Sequence, residues 1–201
     1  MGFRLGSSGS AMTLDQSLLG KLARSIGESP TYAPRDGAQQ ASILAIASQV
    51  YGRRTEDEDL TQPTGFDPAI AAMFEAVIES AFIVANADHE FDDTERHAFK
   101  QVVVTACANR VSEAQVLALL QDLEELLRED GIDKRVQMVG RSITKPEYAR
   151  EVLRVAALMA HVSSGVSTAE RNVLDKLRAQ FGLEAAALDT ALKEVQSILA
   201  E

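Results

Sequence analysis

The sequence predicts an all-α protein: a helical bundle of two pseudo-repeated helix–acidic turn–helix units, preceded by one or two N-terminal helices. Three observations lead to this prediction. Apolar residues recur at helical spacing along most of the 201 residues. Alanine and leucine, which favour helices, dominate the hydrophobic 46%, whereas aromatic residues contribute only 5%. The β-branched run 102–104 falls within a helical period, and no segment has the alternating pattern of a strand.

The first 66 residues are expected to precede the main domain. Residues 1–12 are rich in Gly and Ser, which predicts a disordered leader or tag. Residues 13–66 predict two helices, the first ending at Gly27 and the second covering Gln39–Tyr51, and then a charged, flexible linker. The apolar residues that recur every four positions in the first helix are Leu14, Leu18, Leu22 and Ile26.

Residues 67–201 are expected to form the main helical domain. Asp67 suits a helix N-cap and Pro68 the first helical turn, so a helix should begin there. This helix is apolar around much of its circumference near its end, which predicts a central position in the core. Asp130-Gly131 is a helix stop signal. The predicted helices of this domain cover about 67–87, 93–109, 112–130, a short segment 133–139, 144–162, 168–181 and 184–200.

Two segments of this domain share one pattern. Residues 87–96, ADHEFDDTER, align with residues 162–171, VSSGVSTAER, so that Glu95 matches Glu170. An apolar helix precedes each turn and a pair of amphipathic helices follows it. Two such sets of helices bury their apolar faces by packing together, which predicts one bundle rather than two independent domains.

The first of these turns resembles a family motif. Residues 87–95 read Ala-Asp-x-Glu-Phe-Asp-x-x-Glu and resemble the ADGEhSxxE turn, with h apolar, of the TerB-like proteins, named for tellurite resistance. The resemblance extends over about 67–201, including the duplicated layout. The chain departs from the family pattern at His89, where the family has Gly, and in the second turn, where Ser163 and Gly165 replace acidic residues.

The resemblance carries expectations about fold and function. It implies an all-α bundle of two pseudo-repeated halves that binds a divalent cation and takes part in a tellurite or stress response. It also implies protein partners and, in some systems, a peripheral assembly at the inner face of the membrane. A non-enzymatic scaffold or sensor is the function that we expect on this basis.

The first turn itself predicts a cation site. Hard divalent cations need several oxygen ligands that converge on one point, and the carboxylates of this turn lie within a few residues of one another. The expected ion is Ca²⁺, Mg²⁺ or Mn²⁺, whereas Zn²⁺ is disfavoured because no Cys/His ligand spacing is present. The candidate ligands are Asp88, Glu90, Asp92 and Glu95, and the degenerate equivalents in the second turn are Ser163 and Glu170.

The same residues also fit a purely structural role. Asp92 and Glu95 have the spacing of a capping box, in which the first side chain caps the helix and the glutamate reaches back to the cap. Ser167 and Glu170 have this spacing too. The alternative hypothesis is therefore a metal-independent protein–protein interaction module whose acidic turn only caps a helix.

Composition and motifs argue against several other functions. The net charge of −10 argues against nucleic-acid binding and against attraction to anionic lipid. No phosphate-binding loop or catalytic histidine pattern is present, so we do not expect an enzyme. Cys107, the one cysteine, is expected to be a buried small hydrophobe in a reducing, cytoplasmic protein. No apolar run approaches the ~18 residues of a membrane span, so we do not expect one. Nothing in the sequence indicates the oligomeric state.

Overall fold

The computed structural model describes residues 15–28, 42–53, 67–88, 91–162 and 165–200. Over these residues the chain forms eight α-helices and no β-strand, which confirms the all-α prediction. The predicted leader 1–12 and most of the predicted linker lie outside the described residues. The helices are α1 (Gln16–Gly27), α2 (Ile43–Tyr51), α3 (Pro68–Ala85), α4 (Asp93–Ala106), α5 (Glu113–Ser142), α6 (Pro146–Met159), α7 (Thr168–Gln180) and α8 (Ala185–Ala200).

Helix α3 is the central helix of the core. It begins as predicted, with the Asp67 carboxylate accepting a hydrogen bond from the Ala69 backbone N–H at 2.9 Å. Every residue from Ala76 to Val84 is buried, and α2, α5, α6 and α7 pack around the helix. By length and composition α3 could cross a membrane, which the expectation from the sequence did not include. Within the fold 61% of α3 is buried, as in the core helix of a globular protein.

Helices α1 and α2 join this same core. Helix α1 packs against α4, and α2 packs against α3, where the Tyr51 and Phe74 rings stack with centroids 4.3 Å apart. Gly52, at the end of α2, approaches the backbone of Arg110 so closely that a Cβ atom would lie 1.9 Å from its carbonyl oxygen. The N-terminal helices are therefore fixed against the end of α4 and continue the hydrophobic core of residues 67–200.

Helix α5 is interrupted where the sequence predicts a helix end. The backbone of Gly131 is non-helical (φ 74°, ψ 164°), which confirms the break, and the helical segment after it extends to Ser142, beyond the predicted 133–139. The kink turns Arg135 into the core, where its Nε donates to Glu79 of α3 at 2.6 Å and its Nη1 donates to Asp130 at 3.1 Å. Arg135 therefore connects the two helical segments on either side of the kink to each other, through Asp130, and to α3, through Glu79.

Helices α3 and α6 set the position of the two turns. Each helix runs directly into one of them: α3 is followed by the first turn (Asp88–Asp92) and α6 by the second turn (Ser163–Ser167). The two helices pack against each other, and both contact α7, which begins at the end of the second turn. This packing brings the end of α6 and the start of α7 close to the start of α4.

Candidate acidic site

The first turn ends in a complete capping box. The Asp92 carboxylate accepts from the Glu95 backbone N–H at 2.8 Å, and the Asp92 backbone N–H donates to Glu95 Oε2 at 3.2 Å. These reciprocal bonds satisfy two N–H groups at the start of α4 that have no partner within the helix. Asp92 and Glu95 therefore have the structural role that the alternative hypothesis assigns to them.

The second turn ends in the same way. Ser167 Oγ accepts from the Glu170 backbone N–H at 3.1 Å, and the Ser167 N–H donates to Glu170 Oε2 at 2.7 Å. Gly165, which precedes this cap, has a φ of +100°, a conformation that residues with a Cβ rarely adopt. Glycine, which stands where the first turn has Glu90, is thus suited to the backbone of this turn.

Glu95 and Glu170 face the same small cavity. Phe91 forms part of its wall and makes edge-to-face contacts with Phe82 and Phe99, with ring centroids 5.6 and 5.8 Å apart respectively. The cavity has a volume of about 10 Å³, at the lower limit of the space that one water molecule needs. An organic substrate does not fit, whereas a carboxylate-bound ion or water at the rim needs no larger space.

Electrostatics connect the two turns. Glu170 is 5% exposed, and this burial is the main reason why the pKa of its carboxyl is raised above the ordinary value. Hydrogen bonds from Ser167 act in the opposite direction, whereas the negative charges of Asp88 and Glu95 raise the pKa further. The glutamate of the second turn is thus close enough to the carboxylates of the first to interact with them, and we call Asp88, Glu95 and Glu170 the acidic cluster.

The structure describes only some of the predicted site residues. Glu90 and Ser163 lie outside the described residues, as does His89. Within the described ranges no group of three or more His, Cys, Asp or Glu side chains has the geometry to hold a metal ion. The four-ligand site of the first turn therefore stays a prediction, because one of its four carboxylates is not among the residues described.

The proximity of Glu170 to the first turn was missed from the sequence. The repeat had assigned Glu170 a capping role alone, as a degenerate equivalent of Glu95. The signal that could have revealed it is the apolar helix before each turn: when two such helices pack together, the turns that follow them can meet. The meeting of the two turns thus follows from the packing of the two helices and is not visible in either turn alone.

Histidine and cysteine side chains supply no alternative chemistry here. His161 Nδ1 lies 3.0 Å from the Ala157 carbonyl oxygen, one helical turn earlier, and His97 is exposed on α4. Cys107 is buried beside Ser48, and burial raises the pKa of its thiol to about 12. At neutral pH the thiol stays protonated and unreactive, which agrees with its expected role as a small core residue.

No protein-family model, curated protein or solved structure matches this chain.

Proposed function

We propose that this protein is a TerB-like, non-enzymatic helical protein that binds a divalent cation at the first acidic turn, through Asp88, Glu90, Asp92 and Glu95, and acts as a scaffold or sensor. The observation that supports it is the negative charge gathered beside this turn: Glu170, buried at the start of α7, has a pKa that the charges of Asp88 and Glu95 help to raise. Three carboxylates in a partly desolvated site repel one another, and a bound divalent cation relieves this repulsion.

The charge balance of the site favours a cation over an anion. The starts of α4 and α7 each contribute a positive helix-dipole end of about half a charge, which opposes cation binding. The three carboxylates of the acidic cluster contribute three formal negative charges and outweigh the two dipole ends. A carboxylate also has two oxygens, so one can accept a capping hydrogen bond while the other ligates an ion.

Oxygen ligands determine the class of ion. Carboxylates suit Ca²⁺, Mg²⁺ and Mn²⁺, and no cysteine or suitably placed histidine among the described residues favours Zn²⁺. The proposal also includes a cytoplasmic location, protein partners and a peripheral assembly at the inner membrane face. The support for these three points is the TerB-like motif of residues 87–95 alone.

Calorimetric titration tests the cation site. The full chain is titrated with CaCl₂, MgCl₂, MnCl₂ and ZnCl₂, together with the variants Asp88→Asn and Glu170→Gln. The control is Asp122→Asn, which removes an exposed carboxylate of α5 outside the cluster. We expect saturable binding that each cluster variant weakens by about tenfold or more, while the control leaves it unchanged. No saturable binding, or equal affinities in all four proteins, would refute the proposal.

A metal-independent interaction module is the second candidate, and the complete capping boxes of both turns favour it. In this case the capping-box geometry that Asp92–Glu95 and Ser167–Glu170 share serves helix initiation alone. The melting temperature would then be the same in EDTA and in millimolar CaCl₂ or MgCl₂. A ligand that binds only the folded state at 100 times its Kd stabilises it by about 2.7 kcal/mol, so the two candidates give clearly different melts.

A further inference from the structure

A groove between α6 and α8 shares no residue with the acidic cluster. Its apolar wall is formed by Leu153 on α6 and by Ala187 and Ala191 on α8. The groove encloses about 330 Å³, within the range of ~300–1,000 Å³ that small-molecule sites occupy. It is thus much larger than the cavity at the acidic cluster, and an organic ligand fits it.

The inner end of the groove carries a fixed guanidinium. The side chain of Arg154 is only 5% exposed. Its Nε donates to Glu194 Oε1 at 2.7 Å and its Nη1 donates to the Ser25 backbone carbonyl of α1 at 2.9 Å. These two bonds connect three helices and orient the guanidinium rigidly, and neither of them uses Nη2.

The outer end carries a second arginine that is loosely held. Arg150 lies one helical turn before Arg154 on the same side of α6 and also lines the groove. Its side chain is 48% exposed and comes no nearer than 3.7 Å to Glu184, which is too long for a hydrogen bond. An exposed pair of this kind contributes little free energy, so Arg150 can exchange Glu184 for a ligand at small cost.

We infer that this groove binds a small organic monocarboxylate, with the carboxylate on Arg150 and the apolar body along Leu153, Ala187 and Ala191. The planar guanidinium donates two parallel N–H bonds to a carboxylate, which supplies orientation as well as attraction. A single negative charge suits the groove, because a dianion such as a phosphate monoester would meet repulsion from Glu184 and Glu194. The formal charges of the two arginines and two glutamates sum to zero, so in a chain of net charge −10 the groove is close to neutral, and the exposed, loosely held Arg150 supplies the attraction for an anion.

Titration with three ligands of equal chain length tests the charge requirement. Octanoate, octylammonium and 1-octanol are added separately to the full chain, and binding is followed by chemical shifts or by calorimetry. We expect octanoate to bind saturably and the cationic and neutral ligands to bind about tenfold more weakly or worse, since they lose the charged hydrogen bonds. No saturable octanoate binding, or equally tight octylammonium binding, would overturn the inference.

Variants locate the binding site. Arg150→Gln removes the loosely held charge, and Ala187→Leu fills the groove from a half-buried position on α8. Each is expected to weaken octanoate binding by about tenfold or more while the melting temperature confirms that the variant is folded. The matched control is Arg171→Gln, which removes an arginine that is 52% exposed and paired with Asp189 outside the groove. Unchanged affinity in the folded groove variants, or an equal loss in the control, contradicts the assignment.

Discussion

Replacing Glu170 in two ways separates its capping role from its charge. Glutamine keeps the shape and an acceptor oxygen, so Glu170→Gln preserves the capping box with Ser167, in which Gln is as acceptable as Glu. Alanine removes the acceptor altogether. The two variants therefore differ in the cap, whereas both remove the negative charge that faces Asp88 and Glu95.

The hydrogen bonds of Glu170 set the magnitude of the difference. In Glu170→Ala the Ser167 N–H loses its 2.7 Å bond to a charged acceptor, which costs about 1.5–3 kcal/mol in the free energy of unfolding. Glu170→Gln keeps that bond and removes a desolvated charge beside two like charges. In metal-free buffer at neutral pH we expect it to be stabilising, by up to about 1 kcal/mol. The predicted effects thus have opposite signs.

The pH dependence gives an independent check. Because the pKa of Glu170 is raised in the folded protein, between the ordinary value of 4.5 and the raised value the folded state holds a proton that the unfolded chain has lost. As the pH falls through this window, the unfolding free energy of the wild type should therefore rise relative to that of Glu170→Gln. Urea titrations in EDTA at a series of pH values measure this difference.

Two outcomes would refute this reasoning. A Glu170→Gln protein that is as destabilised as Glu170→Ala would show that the carboxylate charge stabilises the fold, so that the repulsion from Asp88 and Glu95 is negligible. A pH-independent difference between wild type and Glu170→Gln would show that the carboxyl titrates alike in the folded and unfolded states. Either result would remove the electrostatic support for a shared acidic site.

Further predictions concern the core and the kink. Glu79→Ala should cost about 1.5–3 kcal/mol in urea titrations, because buried Arg135 loses its 2.6 Å partner but retains the 3.1 Å ion pair with Asp130. Glu79→Leu/Arg135→Met should recover most of that loss, and a smaller recovery would contradict this reasoning. Gly131→Ala should destabilise the fold by about 1–3 kcal/mol, because Gly131 has a φ of +74°. Gly20→Ala, in a helix with open space around the new methyl group, should stabilise the fold by about 0.5–1 kcal/mol. Equal melting temperatures of the two variants would exclude strain at the kink. The Cys107 thiol, with its pKa of about 12, should react with a thiol reagent at neutral pH no faster than the protein unfolds, and rapid labelling would disprove its burial.

The helix starts were largely readable from the sequence because their signals are local. Asp67-Pro68, Asp92, Ser112 and Ser167 each cap a helix through bonds to residues two or three positions ahead. Such bonds depend on a few consecutive residues, so the sequence suffices to predict them. Two starts differ from their predictions. Helix α2, predicted from Gln39, is capped by Ser42, and α6 is capped by Lys145, which makes no side-chain capping bond, one residue after the predicted start at Thr144.

Features that depend on packing between distant residues could not be read in this way. The Asp-Gly signal in α5 correctly predicts the break at Gly131, but it carries no information about the ion pair between Arg135 and Glu79, 56 positions apart. The groove between α6 and α8 likewise involves contacts between distant residues, such as those from Arg154 to Glu194 and to the backbone of Ser25. No periodicity or spacing rule carries information about contacts at these separations.

The convergence of the two turns changes what the loss of acidic residues in the second turn means. Taken alone, that turn is less acidic than the first, since Ser163 and Gly165 stand where the first turn has Asp88 and Glu90. In the fold it lies beside the first turn and supplies Glu170, so a second complete set of acids would add like charges to a cluster that already raises the pKa of Glu170. Gly165, at a φ of +100°, also serves the backbone where an acidic side chain would be strained. In the proposed site, therefore, one acidic turn and one glutamate-only turn form a complementary pair, and Glu170, which the sequence assigned to capping alone, is the residue whose substitution tests both roles.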